Sequence, residues 1–395
     1  VTATIPILLA SSTFYIIACY QILAGPWQGR NALWFITVAA LMFRLTLLPG
    51  KPELSEDLYR YQWEGRVQIS GSLPYSERPD DPRWLSLRDS NYSRIAGKDL
   101  RFGYGPLWVL VERGAAAMNL PLLAWKLPAV LADLGLIGSL LWLLRLHRLP
   151  LERVLIYAWC PLPIVEFWHS GHNDALMMLC LVIALCCARA GRWPLSYGLL
   201  ALATLVKFWP LLLFPLWLER SRRWKAALAA PLVMVPFALW VWEPLRARAD
   251  FLTGFLGGWR NNDSLFALIL AASGGDPRRA KFLSLAIIGL LALAVAAVRS
   301  LPLERAALLF IAAMLLVSAN VHPWYLTWLA PLLVLYPWPP MLLWVSLAPL
   351  SYQVLIEYRI LGEWNGSTEW RWWIYLPVLG LFLGERLRRF RRKLN

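Results

Sequence analysis

Long apolar runs alternate along this chain with short charged connections, a pattern that predicts a bundle of membrane-crossing helices. A helix needs about 20 mostly apolar residues to cross a bilayer. Runs of that kind recur from Ile5 to Ala24 through to Trp372 to Leu383. Between the charged connections they place spans near 5–24, 31–49, 122–144, 154–169, 173–188, 195–207, 226–242, 282–298, 306–321, 325–336, 341–356 and 372–385. The piece Pro106 to Leu120 would be a surplus crossing, so it is expected to form a re-entrant or half-buried helix. Leu211 to Leu218 must return across the membrane in too few residues for a straight helix, which predicts a break at Lys207-Phe208-Trp209-Pro210. Non-helical backbone at that depth survives only where protein or a water-filled cavity surrounds it, so 207–210 is a cavity candidate. The expected fold is an all-α polytopic membrane protein of about 12–13 spans, one integral domain over 1–395 with no internal repeat. The first apolar run is followed at once by a second, so no cleavable signal is invoked.

Composition agrees: 59% of residues are hydrophobic and 16% charged, against about 25% charged in soluble domains. The net charge of +15 would suggest nucleic acid in a soluble protein, but the charges segregate by side. Connections 145–153, 189–192, 219–225, 299–305 and the tail 386–393 hold 17 Lys/Arg against only Glu152, Glu219, Glu304 and the adjoining Glu385. By the positive-inside rule they are cytoplasmic. The intervening loops 50–104, 243–281 and 355–372 hold 17 Lys/Arg against 16 acids and are expected to face outward. The basic balance is therefore topology rather than a nucleic-acid footprint. All five cysteines (Cys19, Cys160, Cys180, Cys186, Cys187) lie in apolar runs and read as small hydrophobes.

Charges that loops do not absorb are the candidate chemistry, because each costs about 2.5–3.5 kcal/mol at the centre of a lipid-facing helix. Arg30 ends a span, Arg44 is expected to snorkel to headgroups, and Glu112 and Arg113 to rest in the interface. Lys126, Glu166, Asp174 and Lys207 all map to the outer ends of their spans. Asp133 lies two turns below Lys126, about 10.5 Å along the axis, as an interhelical hydrogen-bond partner or a functional group. In "EFWHSGHNDALMM", His169 and His172 with Glu166 and Asp174 invite a metal, but the local turn lacks the i, i+4 spacing of a helical zinc pair, and a metal is not favoured. Asn173 and Asp174 are expected to cap the next helix, leaving His172 to touch a polar ligand. The ammonium of Lys207 suits a phosphate. "WRNNDS" at 259–264 offers Arg260, Asn261 and Asn262 beside an aromatic, and "ANVHPWYLTW" returns His322, Trp324 and Tyr325 to the same surface.

"SEDLYRYQWEGRV", residues 55–67, packs three carboxylates and two arginines beside an apolar run. Ser55 is a candidate N-cap, with Glu56 and Asp57 in the first turn, where the helix dipole favours anions. Glu56, Arg60 and Glu64 stand at i, i+4, i+8, a surface ion ladder worth tenths of a kcal/mol per pair. Asp57 falls outside it and shares a face with Tyr61 and Glu64, free to accept a proton from a hydroxyl.

With "GSLPY", "YGPLW" (containing Tyr104), "GHNDAL", "LVKFWPLLLFP", "WRNNDSLF" and "HPWYLTWLAPLL" in this order, that stretch resembles the polytopic GT-C glycosyltransferases. The nearest likeness is to the bacterial polyprenyl-phosphate-mannose-dependent mannosyltransferases, distantly the first mannosyltransferase of the GPI-anchor pathway, over residues 40–335. The departures are Leu73 where the family commonly has asparagine and Gly105 where it commonly has proline. The resemblance implies that Asp57, with Glu56 adjacent, is the catalytic acid of the first large outer loop region, 50–120. It implies a polyprenyl-phosphate sugar as donor, a lipid-linked or cell-envelope hydroxyl as acceptor, and an inverting transfer. Lys207, Arg260 and Lys126 would bind the donor phosphate. Arg60, Tyr61, Glu64, Tyr104, His172, Asn173, Asp174, Asn261, Asn262, His322, Trp324 and Tyr325 would line the substrate site. No cofactor is expected. The location implied is the plasma membrane, with the site on its periplasmic or extracellular face and the C-terminus in the cytoplasm. A transporter or flippase of a polyprenyl-linked or other glycolipid is the rival, since broken helices and buried charges fit it; no repeated halves accompany them. A non-catalytic assembly partner would not need polar groups clustered on one side.

Overall fold

The computed structural model describes the chain except residues 26, 102–103, 247–258, 363, 367–368 and 395. Parts of the expected outer loops 243–281 and 355–372 therefore lie outside the described residues. Among those described, helices make up the regular structure, and β pairing is confined to isolated bridges from Asn261 to Asn320 and Gly366. The protein is an all-α polytopic membrane protein.

Among the described residues six helices are long and apolar enough to cross a membrane: Thr4–Ala24, Arg30–Leu47, Leu122–Leu146, Trp224–Trp242, Pro277–Ala297 and Pro339–Leu361. The 21 residues of Thr4–Ala24 rise about 31 Å, the thickness of a hydrocarbon core. Of the other expected spans, 372–385 lies within the 25-residue helix Trp370–Leu394, which carries Pro377 inside it, and the rest are shorter or broken. Asp174–Arg189, Trp193–Val206 and Leu303–Val317 have 16, 14 and 15 residues. The expected spans 154–169 and 325–336 are strings of short turns, Leu155–Ala158, Pro161–Pro163 and the π-helix Ile164–His169 in one, Pro323–Leu326 and Ala330–Leu333 in the other. Prolines 161, 163, 323 and 331 lack the N–H that would continue a helix. Hydropathy counts such segments as helices because their side chains are apolar; the backbone is broken where protein encloses it.

Asp174–Arg189, Trp193–Val206 and Leu127–Leu146 pack together at the centre of the bundle. Buried Ala184, Ala201 and Ala203 lie among Leu136, Leu181 and Leu200, small residues that let helix backbones approach. All five cysteines are free thiols in this interior. Arg44 does not snorkel. It is fully buried and donates to Asp133 at 2.6 Å and to the Ala158 carbonyl at 2.5 Å. Asp133 also accepts from Trp168 Nε1 at 2.8 Å and from the Tyr157 hydroxyl, so it is an interhelical lock with its acceptors filled.

The break expected at 207–210 is present, and the piece expected not to cross is short. Pro106–Ala117 is a 12-residue helix, too short to cross. Trp193–Val206 ends at Lys207, whose backbone is extended (φ −139°, ψ 137°), before a 3-10 turn at Trp209–Leu213. Gly105 N–H donates to the Val206 carbonyl at 3.1 Å, satisfying an acceptor that the helix end releases. A Cβ on Gly105 would lie 2.2 Å from the Leu205 carbonyl oxygen, so only glycine permits this approach.

Candidate active site

The helix Asp57–Ile69 delivers its first residue to a cavity of about 470 Å³. The N-cap position falls on Glu56, which makes no side-chain cap, and not on Ser55 as expected; Ser55, one residue earlier, accepts the Asp57 N–H on its Oγ at 3.2 Å in a local turn. The anticipated ion ladder is not on the surface. Arg60 and Glu64 pair at 2.6 Å with 3% and 0% of their side chains exposed. The same guanidinium donates to the Gly97 and Leu100 carbonyls at 3.0 and 3.1 Å, pinning residues 97–100 onto this helix. Burial pushes Glu64 above the ordinary carboxylate range, although Arg60 opposes the shift. Glu112, expected in the interface, is also buried, at 1% exposure. Gly65 makes room for that contact: a Cβ there would lie 2.6 Å from the Glu112 carbonyl oxygen.

Asp57 lines the cavity and keeps 24% of its side chain exposed. Its Oδ2 accepts the Tyr104 hydroxyl at 3.0 Å and lies 3.4 Å from His172 Nδ1. No described contact falls on Oδ1. Tyr61 meets both Tyr104 and Trp108 edge to face, with ring centroids at 4.9 and 5.1 Å; it supports Tyr104 from behind instead of lining the cavity. Burial works against charge on Asp57. The adjacent His172, the Lys207 ammonium and the Tyr104 hydroxyl outweigh it and hold the carboxyl below its ordinary value. Glu56, also on the cavity wall, goes the other way: burial raises it despite Lys98, Arg94 and Arg359 nearby.

His172 is not a substrate contact. It is fully buried in the turn after Ile164–His169, with Nε2 3.2 Å from Glu166 Oε2. Gly171 makes the turn with φ +78°, where a Cβ would press to 2.9 Å on Leu58. Glu166 accepts the hydroxyl of Tyr352, which returns to the cavity wall. Asn173 is buried and makes no side-chain cap, and Asp174 is instead the first helical residue. Asp174 accepts Lys207 Nζ at 2.7 Å and Trp328 Nε1 at 2.6 Å. Neither Asn173 nor Asp174 reaches the cavity.

Of the three expected phosphate ligands, the structure brings only Lys207 to the cavity. Its Nζ sits over Tyr325 at 5.0 Å and Trp328 at 5.7 Å, beside its partner Asp174. Lys126 is buried and donates to the Leu48 and Gly50 carbonyls, tying down the chain that leads to Asp57. Arg260 pairs with Asp263 at 2.7 Å, and Asp263 also accepts Arg371 at 2.9 Å. This latch places Asn261 on the wall, its Nδ2 3.1 Å from His322 Nδ1. Asn262, in the left-handed region at φ +47°, faces away, its carbonyl accepting the Tyr375 hydroxyl at 2.6 Å.

His322, Trp324 and Tyr325 form an aromatic wall. His322 lies parallel to Trp324 at 4.4 Å, and Trp324 stacks on His172 from its other side at 4.4 Å. Burial lowers His322 to about 3, so the ring is neutral at physiological pH. Opposite, Lys281, Ser284, Leu285 and Ile288 line the cavity from the helix Pro277–Ala297. Lys281 and Arg359, both on the wall, were invisible as site residues in the sequence, because each sits among loop charges; the i, i+3, i+4, i+7 spacing from Lys281 was the usable signal.

Among the described residues no group of three or more His, Cys, Asp or Glu side chains is placed to hold a metal ion. A family model described as alpha-(1->6)-mannopyranosyltransferase, N-terminal domain, MptA_B family, matches residues 2–219, more than half the chain and the part that bears Asp57, His172 and Lys207. No curated protein and no solved structure matches.

Proposed function

The chain belongs to the MptA_B family of mannosyltransferases, and from that premise we propose that it moves mannose from a polyprenyl-phosphate donor to a hydroxyl of a lipid-linked or cell-envelope acceptor, with Asp57 as the base. The observation that carries the reading is Asp57 on the cavity wall, 24% exposed, with Oδ2 held by Tyr104 and His172 and no contact on Oδ1 among the described residues. Asp57 is preferred over Glu56 because their surroundings favour the anion on Asp57 and oppose it on Glu56.

In the proposed step Asp57 takes the acceptor hydroxyl proton as that oxygen attacks the anomeric carbon. The new C–O bond forms opposite the bond to phosphate, which breaks with its electron pair on the departing polyprenyl phosphate. Inversion giving an α linkage, the linkage in the family's description, requires a β-linked donor. The leaving anion needs cations already in place, and Lys207 on the wall is suited to that. The helix Pro277–Ala297 supports a lipid donor: one face runs from Lys281 to Leu285 and Ile288, a cation followed by an aliphatic track. The step draws on no cofactor. The counts of loop charges support a cytoplasmic C-terminus with this cavity on the opposite, periplasmic or extracellular face, and the plasma membrane is the location that the family resemblance implies.

The test uses purified protein in detergent, radiolabelled short-chain polyprenyl-phosphate mannose and octyl α-mannoside as acceptor. Wild type is expected to yield a disaccharide glycoside and polyprenyl phosphate. Asp57→Asn should lose at least about a hundredfold in rate, the low end of general-base contributions, while Glu56→Gln retains most activity. Full transfer by Asp57→Asn removes the base, and donor movement across proteoliposomes without sugar transfer replaces the enzyme with a flippase.

A further inference from the structure

We propose that His172 is a positioning residue, an imidazolium held between Asp57 and Glu166 that fixes the Asp57 carboxylate and keeps it anionic. The inference rests on Asp57 being the base. His172 is wholly buried, 3.4 Å from Asp57 and 3.2 Å from Glu166. Both contacts are ion-pair approaches that fall short of hydrogen-bond geometry, and both ring nitrogens are otherwise without partners among the described residues. A neutral imidazole would leave the wholly buried Glu166 carboxylate and the Asp57 carboxylate facing each other across it with no cation between them, an arrangement that desolvated charge disfavours.

Each side of the ring is restrained. Trp324 stacks on it at 4.4 Å with planes 20° apart. Tyr352 holds Glu166 through a hydrogen bond, and Tyr104 holds Asp57. The other titratable groups around this turn are Lys126, whose Cγ flanks Gly171, His169 at its start, Glu56 and Glu64 beside Asp57, and the Lys207–Asp174 pair, while His322 stands neutral beyond Trp324. The Lys207 ammonium also bears on Asp57 but is bonded to Asp174 at 2.7 Å, so His172 is the cation placed directly against the Asp57 carboxylate, at 3.4 Å. In consequence Asp57 keeps one oxygen clamped and one oxygen open, the orientation a base needs at the moment of attack.

Burial disfavours charge on His172, but Asp57 and Glu166 outweigh it and raise the ring to about 9. The charge is therefore present at neutral pH and lost as pH rises through about 9. The pH profile of kcat/KM, measured with the mannosyl donor and octyl α-mannoside, is expected to have an acid limb set by Asp57 and an alkaline limb near that value. In His172→Gln the acid limb should move up by about 1–3 units, the span an opposite charge at this range commands, with kcat reduced and KM for donor nearly unchanged. Glu166→Gln removes an anion that favours the imidazolium, so its alkaline limb should move down; this variant keeps the histidine and serves if His172→Gln fails to fold. Limbs that coincide with wild type in both variants, or in the one that folds, overturn the inference whatever the loss of rate. Asp57→Asn separates the two readings: if it is inactive while the limbs stay fixed, only the role of His172 falls, and if it is active the base falls with it.

Discussion

Replacing Arg44 with methionine tests the claim that the interior of this bundle is held by a buried ion pair. In wild type the guanidinium and Asp133 are both fully buried and 2.6 Å apart. Methionine keeps much of the apolar stem and removes the charge, leaving Asp133 with only Tyr157 and Trp168 as donors. Breaking one side of a buried pair costs about 3–5 kcal/mol, because the survivor keeps its desolvation penalty. At about 2.1 cal/mol/K of unfolding entropy per residue, a chain of 395 residues loses about 1 °C of Tm for each 0.8 kcal/mol. Arg44→Met is therefore expected to lower Tm by about 4–6 °C. The shift grows if helices persist in detergent after unfolding, since the entropy is then smaller. Thermal scans monitored by fluorescence-detected size exclusion measure it. Arg44→Met/Asp133→Asn should recover at least half the loss, because a neutral amide still meets Tyr157 and Trp168 and no charge is stranded. A single variant within 1 °C of wild type, or a double variant as unstable as the single, refutes the account.

Two further changes probe the cavity wall. Lys207→Met removes the wall cation and strands Asp174, so it should raise KM for the polyprenyl-phosphate donor and lower kcat, at least tenfold together in kcat/KM, which is about 1.4 kcal/mol; initial rates across donor concentrations check it, and wild-type constants would remove Lys207 from the donor site. Gly105→Ala places a methyl 2.2 Å from the Leu205 carbonyl oxygen and 2.7 Å from that of Val206, so overpacking should cost about 1–3 kcal/mol and shift Tyr104 off Asp57; unchanged Tm and unchanged rate would show that the contact relaxes freely.

What could be read from the sequence divides along a physical line. Apolar runs and proline positions are local, so Thr4–Ala24, Arg30–Leu47 and the break at Lys207 were all legible. Asp57 emerged because the ladder spacing accounted for its neighbours and left it over. The partners of charged groups were not legible, since they join residues far apart in the chain: Arg44 with Asp133 across 89 positions, Lys207 with Asp174 across 33. Single-residue reasoning then assigned Arg44 to headgroups, and Lys126 and Arg260 to a phosphate they do not face. Hydropathy also overcounted crossing helices, because 154–169 and 325–336 are apolar but broken into short helical turns. Gly105 changes meaning in the same way. In the sequence it was only a departure from a family pattern, whereas in the fold it closes the end of Trp193–Val206 and so sets where Tyr104 stands.

Burying so many ionised groups is costly, and the arrangement of pairs shows where the cost is left unresolved. Arg44 is matched by Asp133, Lys207 by Asp174, and Arg260 with Arg371 by Asp263. In each set the charges balance to within one unit and the groups are joined by contacts of 2.6–2.9 Å. The Asp57, His172 and Glu166 set differs. Two carboxylates share one imidazole at 3.2–3.4 Å, leaving one net negative charge, and one carboxylate opens to the cavity. A structural lock gains nothing from such looseness, since desolvated ions are repaid only by close geometry. A base that must accept a proton does gain, because a carboxylate with every acceptor site filled has nowhere to put one. On this ground the loosely paired charge cluster that opens to the cavity is the one to expect at the reacting centre.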